Sequence, residues 1–90
     1  MKIWKYTLEV TYLQQLKMPR NAKILSVQTQ GGAPQLWALV DESAEKEPRH
    51  FATYGTGNSL PERADGFGEF VGTYQLQGGA LVFHVFEVTK

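Results

Sequence analysis

Phe70-Val71-Gly72-Thr73-Tyr74-Gln75-Leu76-Gln77-Gly78-Gly79-Ala80-Leu81-Val82-Phe83-His84-Val85-Phe86-Glu87-Val88 is the stretch that decides the fold class. Two runs rich in aromatic and β-branched residues flank a Gly-Gly pair. Such residues fit a pleated, half-buried surface. Glycine reaches positive φ without steric cost, which a tight turn between twisted strands requires. The pattern predicts a strand over Phe70–Gln77, a two-residue loop at Gly78–Gly79 and a strand over Ala80–Val88. Phe70, Tyr74 and Leu76 fall on one side of the first strand. The second is apolar at nearly every position.

The same signals recur toward the N-terminus. Gln35–Asp41 predicts a strand whose centre, Leu36 to Val40, is apolar on both faces, so it is expected to be central or covered on both sides. Gly31–Gly32 is a second tight turn, joining it to a strand over Lys23–Gln30. Arg20–Asn21 is turn chemistry, and Pro19 stops a short strand over Leu13–Met18. From Lys2 to Val10, Trp4, Tyr6, Leu8 and Val10 alternate with Lys5, Thr7 and Glu9, the period of a half-buried strand. His50–Tyr54 is a further strand. Before it, Asp41–Arg49 is a charged connection with Pro48 inside it. No 11-residue window carries a helical stripe. Seven short strands predict a single all-β domain, a small antiparallel β-sandwich or partly open barrel.

The chain has 90 residues, no cysteine, two histidines and equal numbers of acidic and basic side chains, nine of each. That length makes one domain with a thin core. Zero formal charge argues against nucleic-acid binding, which needs a basic excess. The absence of cysteine removes disulfides, thiolate metal sites and a cysteine nucleophile. The longest apolar run, Leu36 to Val40, is far short of the about 20 residues of a spanning helix. No apolar segment follows Lys2 and Lys5, so no signal peptide and no membrane association are expected. The two histidines have no ligand spacing and no Gly-x-Ser-x-Gly elbow occurs. No catalytic set, metal or cofactor is therefore expected.

The stretch Gly55–Glu69 is long for a structureless loop in a small domain, and such loops are usually functional or disordered. It opens with Tyr54-Gly55-Thr56-Gly57-Asn58-Ser59. Two glycines flanking a hydroxyl residue let backbone N–H groups converge on an anion. Ser59 adds a hydroxyl and Arg63 a charge, a set that suits a phosphate. The pattern is not a P-loop, since no Gly-Lys-Ser/Thr follows, and Leu60 replaces the third glycine of a dinucleotide fingerprint. A flexible turn remains the alternative. Arg49 and His50 are candidate anion contacts through charge-assisted hydrogen bonds. Trp4 and Tyr54, flanked by polar residues, are candidates for stacking on a base, with pocket, interface and core all open to them. Trp37 is read as core, and His84 as a hydrogen-bonded, partly buried histidine. The candidate ligand set is thus Trp4, Arg49, His50, Tyr54, Gly55, Thr56, Gly57, Asn58, Ser59 and Arg63.

Five stretches resemble, as a set, a family of small uncharacterised proteins encoded by phages and prophages: Met1-Lys2-Ile3-Trp4-Lys5-Tyr6, Ala22-Lys23-Ile24-Leu25-Ser26-Val27-Gln28, Leu36-Trp37-Ala38-Leu39-Val40-Asp41, Phe51-Ala52-Thr53-Tyr54-Gly55-Thr56-Gly57, and Gly72-Thr73-Tyr74-Gln75 with Leu81-Val82-Phe83-His84-Val85-Phe86-Glu87. The resemblance implies a phage origin and action in the host bacterial cytoplasm. It brings no catalytic or binding residues with it. By analogy with small phage proteins that lack catalytic motifs, the expected function is counter-defence, as a sponge that sequesters a nucleotide-derived immune signal. The alternatives are an inhibitor that binds a host defence protein directly, the acidic Asp41–Glu47 segment meeting a basic surface, and a structural virion or assembly module. A thin core would gain from burial in a homo-oligomer.

Overall fold

The computed structural model describes residues 1–63 and 66–89. Positions 64 and 65 of the expected Gly55–Glu69 loop lie outside the described residues. The described chain forms β1 (Lys2–Thr7), β2 (Leu13–Pro19), β3 (Lys23–Gln30), β4 (Ala33–Val40), β5 (Lys46–Gly55), β6 (Glu69–Leu76) and β7 (Leu81–Val88), with one 3-10 turn at Gln77–Gly79. Every pairing is antiparallel. β1-β4-β3 make a three-stranded sheet and β2-β5-β7-β6 a four-stranded one, stacked as the expected sandwich and not closed into a barrel. No helix among the described residues is long and apolar enough to cross a membrane.

The core lies between the sheets. Alternation along β4 sends Leu36, Ala38 and Val40 inward, all fully buried. Met18, Phe51 and Val85 meet them from the other sheet. Each such side chain contributes about 1.5–3 kcal/mol when taken from water. β3 and β6 press together along one side of the sandwich. A Cβ added to Gly72 would sit 2.7 Å from Val27 Cβ, so only a residue without a side chain lets the sheets approach there. Two residues further along β3 and three along β6, the Thr29 hydroxyl donates to the Gln75 carbonyl at 2.6 Å. β-Bulges shift the register between Ile24 and Ser26 in β3 and between Phe70 and Gly72 in β6.

Several boundaries differ from expectation. β1 ends at Thr7, because the Leu8 N–H turns to the Pro34 carbonyl at 2.9 Å; Leu8 is buried but Val10 is 53% exposed. β5 starts at Lys46, so the charged connection is shorter than Asp41–Arg49. Lys46–Arg49 pair with Leu16–Pro19, while β7 joins β5 only from His50 onward. Pro48 thus sits where one flank of β5 is open and a missing N–H is tolerated. β4 begins at Ala33 and is central, as expected, but is covered on one face only. Trp37 and Leu39 are half-buried on the outer face, beside exposed Ile3 and Leu25, so Trp37 is not core. Gly31–Gly32, with φ of 61° and 83°, makes the expected two-residue turn. Gly78–Gly79 also sit at the centre of theirs, closed by the Ala80 N–H on the Gln77 carbonyl at 3.1 Å. Gln77 itself takes φ 52°, so the strands part at Leu76 and Leu81 rather than at the glycines.

Candidate functional site

Alternation in β5 splits its residues between two environments. Phe51 and Thr53 face the inter-sheet core, whereas Ala52 and Tyr54 face outward. There Ala52, Tyr54 and Val88 form a second apolar cluster with Phe86 packed against it. Aromatic rings extend it: Tyr12–Tyr54 and Tyr54–Phe86 centroids are both 5.7 Å apart, and Phe70–Phe86 are 5.5 Å apart. Tilted and edge-on pairs at this spacing are favourable arrangements of the ring quadrupoles.

The chain leaves β5 at Gly55 and turns through Gly57, whose φ is +85°. The Thr56 N–H donates to the Val82 carbonyl at 3.0 Å and the Asn58 N–H to the Gly55 carbonyl at 3.1 Å. Two of the amides that a phosphate cradle would use are therefore committed within the turn. The turn instead builds a cleft of about 280 Å³ lined by Tyr12, Thr53, Tyr54, Asn58, Ser59 and Pro61 around Gly55. A smaller hollow of about 190 Å³ shares Tyr12, Thr53, Gly55 and Asn58 with it. Arg63 reaches the Tyr12 hydroxyl at 3.4 Å. The Thr53 hydroxyl, on the Phe51 face of β5, is buried with no hydrogen-bond partner among the described residues, while the Thr53 residue itself forms part of the cleft wall. The Asn58 side chain packs closely over Gly55, its nitrogen 2.7 Å from where a Cβ would stand.

Thr56 points away from the cleft. Its hydroxyl is 2.6 Å from His84 Nε2, and His84 Nδ1 is 3.0 Å from the Thr73 hydroxyl. The imidazole thus ties the turn to β6 across β7, the hydrogen-bonded histidine that the sequence suggests. The remaining candidates are placed elsewhere. His50 is four residues from Tyr54 along β5, on the order of 13 Å at strand rise, in a hollow of about 210 Å³ with Leu13, Gln14 and Gln15. Trp4 belongs to the other sheet, half-buried against the core, with the Lys46 ammonium 5.7 Å from its ring centroid. Arg49 points into the sandwich. Its Nε and Nη2 donate to the two Glu87 carboxylate oxygens, and Nη1 donates to the Ala22 carbonyl at 2.8 Å. Its hydrogen bonds to the Glu87 carboxylate hold the guanidinium pKa above the ordinary value despite burial.

The structure therefore brings together Tyr54, Gly55, Asn58, Ser59 and Arg63, and adds two residues not in the predicted set. Tyr12 had a signal, as one of six Trp and Tyr residues, four of them Tyr, but its place beside Tyr54 depends on the β2–β5 pairing. Thr53 had none, being an ordinary polar residue of a strand.

The model of the family described as Domain of unknown function (DUF7352) matches residues 1–90, and the chain belongs to that family. Neither the curated proteins nor the solved structures contain a match.

Proposed function

We propose that this member of the DUF7352 family is a non-enzymatic binding protein that holds a nucleotide-derived molecule in the cleft beside β5. One observation carries the reading. In a single cleft beside Tyr54 and Gly55 converge a tyrosine ring with an exposed face (Tyr12, 42% exposed) and the polar residues Asn58 and Ser59. An aromatic face with a few polar groups is what a flat, hydrogen-bonding ligand requires. Taken with the resemblance to phage- and prophage-encoded proteins, the reading is counter-defence. The chain captures an immune signal in the host cytoplasm and does not cleave it.

Native mass spectrometry of the protein, alone and with linear and cyclic nucleotides, tests this. The expected result is a stoichiometric adduct, released intact on denaturation, that Tyr12→Ala weakens about tenfold or more, the scale of one lost base stack. The same spectra count the subunits of the proposed homo-oligomer. A protein unshifted by every nucleotide at millimolar concentration overturns the reading.

One feature favours the second reading, direct inhibition of a host defence protein. The outer face of the first sheet exposes Ile3 (60%) and Leu25 (45%) beside half-buried Trp37 and Leu39, and contiguous apolar surface marks contact sites. Capture of one host protein, lost with Ile3→Glu but retained with Tyr12→Ala, would establish it.

A further inference from the structure

The sandwich is pinned and then opened along the β3–β6 side. At Gly72 and Val27 the sheets touch. On the far side of both bulges they separate, leaving a cleft of about 320 Å³ against Ile24, Phe70 and Val71. Bulges are over-represented beside functional sites because they re-aim side chains and end pairing. Here one stands in each of the two facing strands, on either side of the same cleft.

The cleft is charged. Arg49 and Glu87 line it, with side chains only 18% and 24% exposed. A guanidinium carries five N–H donors. Glu87 and the Ala22 carbonyl take three of Arg49's, which leaves two. Lys23 lines the cleft from the β3 side and Glu69 from the β6 side. Glu69 adds to the field felt by Arg49. Neither Lys23 nor Glu69 has an ion-pair partner among the described residues. A Cβ added to Gly68, whose φ is +81°, would collide with the Glu87 backbone carbonyl, so no side chain fits at the position before Glu69. The formal charges around the cleft sum to zero: Arg49 and Glu87 are paired with each other, whereas Lys23 on the β3 wall and Glu69 on the β6 wall face the cleft from opposite sheets.

We propose that this inter-sheet cleft binds a small zwitterion, its anionic group toward Lys23 and the unspent Arg49 donors, its ammonium toward Glu69, and its apolar part on Ile24 and Val71. A guest with one charge leaves one wall unanswered, whereas a guest with both satisfies each at a few ångströms, where attraction is strongest. The volume is at the low end for ligand sites and fits a molecule of amino-acid size. The site is separate from the nucleotide cleft and does not depend on it.

Three probes of equal length separate the possibilities: 5-aminopentanoate, pentanoate and pentylamine, titrated into the 15N-labelled chain. The expected result is saturable shifts of the Ile24, Val71 and Gly72 amides with 5-aminopentanoate, at concentrations at least about tenfold below those needed for either singly charged probe. Glu69→Gln and Lys23→Gln should each remove that advantage, with the core amides of Phe51 and Val85 unmoved. No saturable shift with any probe, or equal binding of pentylamine and 5-aminopentanoate, overturns the proposal. The nucleotide reading is judged on the Asn58 and Ser59 amides, so the failure of one leaves the other standing.

Discussion

The molecule has two apolar clusters, and they are built on different principles. The inter-sheet core is made of residues that strand pairing itself aligns: Met18, Leu36, Val40, Phe51 and Val85, all with 0% exposure. The outer cluster of Ala52, Tyr54, Val88 and Phe86 rests on one sheet alone, with the irregular chain at Asn58, Ser59 and Pro61 beside Tyr54. A core between two sheets leaves little room for imperfect fit. A cluster bounded by irregular chain leaves clefts, and the cleft beside Tyr54 is one of them. Stability belongs mainly to the first cluster and the candidate binding surface to the second.

The comparison breaks most completely at Gly72. Gly72→Val places a branched side chain where even a Cβ would meet Val27 at 2.7 Å. Overpacking costs about 1–3 kcal/mol and more where backbone must move. A loss of about 3 kcal/mol or more is expected, read as a lowered urea midpoint; a change under about 1 kcal/mol would mean that the sheets are not pinned there. Arg49→Ala comes next. It strands a Glu87 carboxylate that is 24% exposed, and breaking a buried pair costs about 3–5 kcal/mol, discounted here for partial exposure. About 2 kcal/mol is expected, with Arg49→Ala/Glu87→Gln recovering part of it in the same unfolding assay.

Phe86→Leu sharpens the contrast. It trims only the outer cluster, where Phe86 is half-buried, so about 1 kcal/mol is expected. Amide exchange should rise at Gly55–Ser59 and stay unchanged at Val40 and Val85. Equal acceleration in both places would show the clusters to be one unit. Tyr74→Phe gives the smallest effect at neutral pH. The Tyr74 hydroxyl is buried with no hydrogen-bond partner among the described residues, so its removal should move stability by less than about 0.5 kcal/mol. Its value lies at high pH. Burial holds the Tyr74 phenol above its usual pKa of 10.0, so the stability that it contributes is full below that pH. That contribution is lost as pH rises from 10 through the folded-state value, because only the unfolded chain ionises easily. Urea midpoints should fall less steeply above pH 10 in Tyr74→Phe than in the parent.

Local chemistry made much of this legible. Gly31–Gly32 and Gly78–Gly79 both stand where the sequence places turns, because glycine takes positive φ at two successive residues without steric cost. The apolar run Leu36 to Val40 marked the central strand of its sheet, but not which face the core would take. What failed to show was set by partners distant in sequence. Lys46–Arg49 look like loop until β2 pairs with them. The outer face of Trp37 and Leu39 looks buried until the sandwich is seen to have only two layers. Arg49 and His50 are adjacent in sequence, yet alternation sends one into the sandwich and the other to its surface. Trp4, read as a companion of Tyr54, belongs to the other sheet.

The order in which strands pair bears on how the chain assembles. β1 waits for β4 and β2 for β5, so the first two strands to leave a ribosome find no partner until residues 33–55 have followed. The hairpins β3–β4 and β6–β7 close through tight turns and form from local contacts, whereas the pairings of β1 and β2 bear the entropy of long loops. Assembly should then begin in the middle and at the C-terminal end, with the N-terminal strands docking last. In that interval Lys2, Lys5 and Lys17, spaced along the waiting edges, act as charged gatekeepers against pairing with other chains.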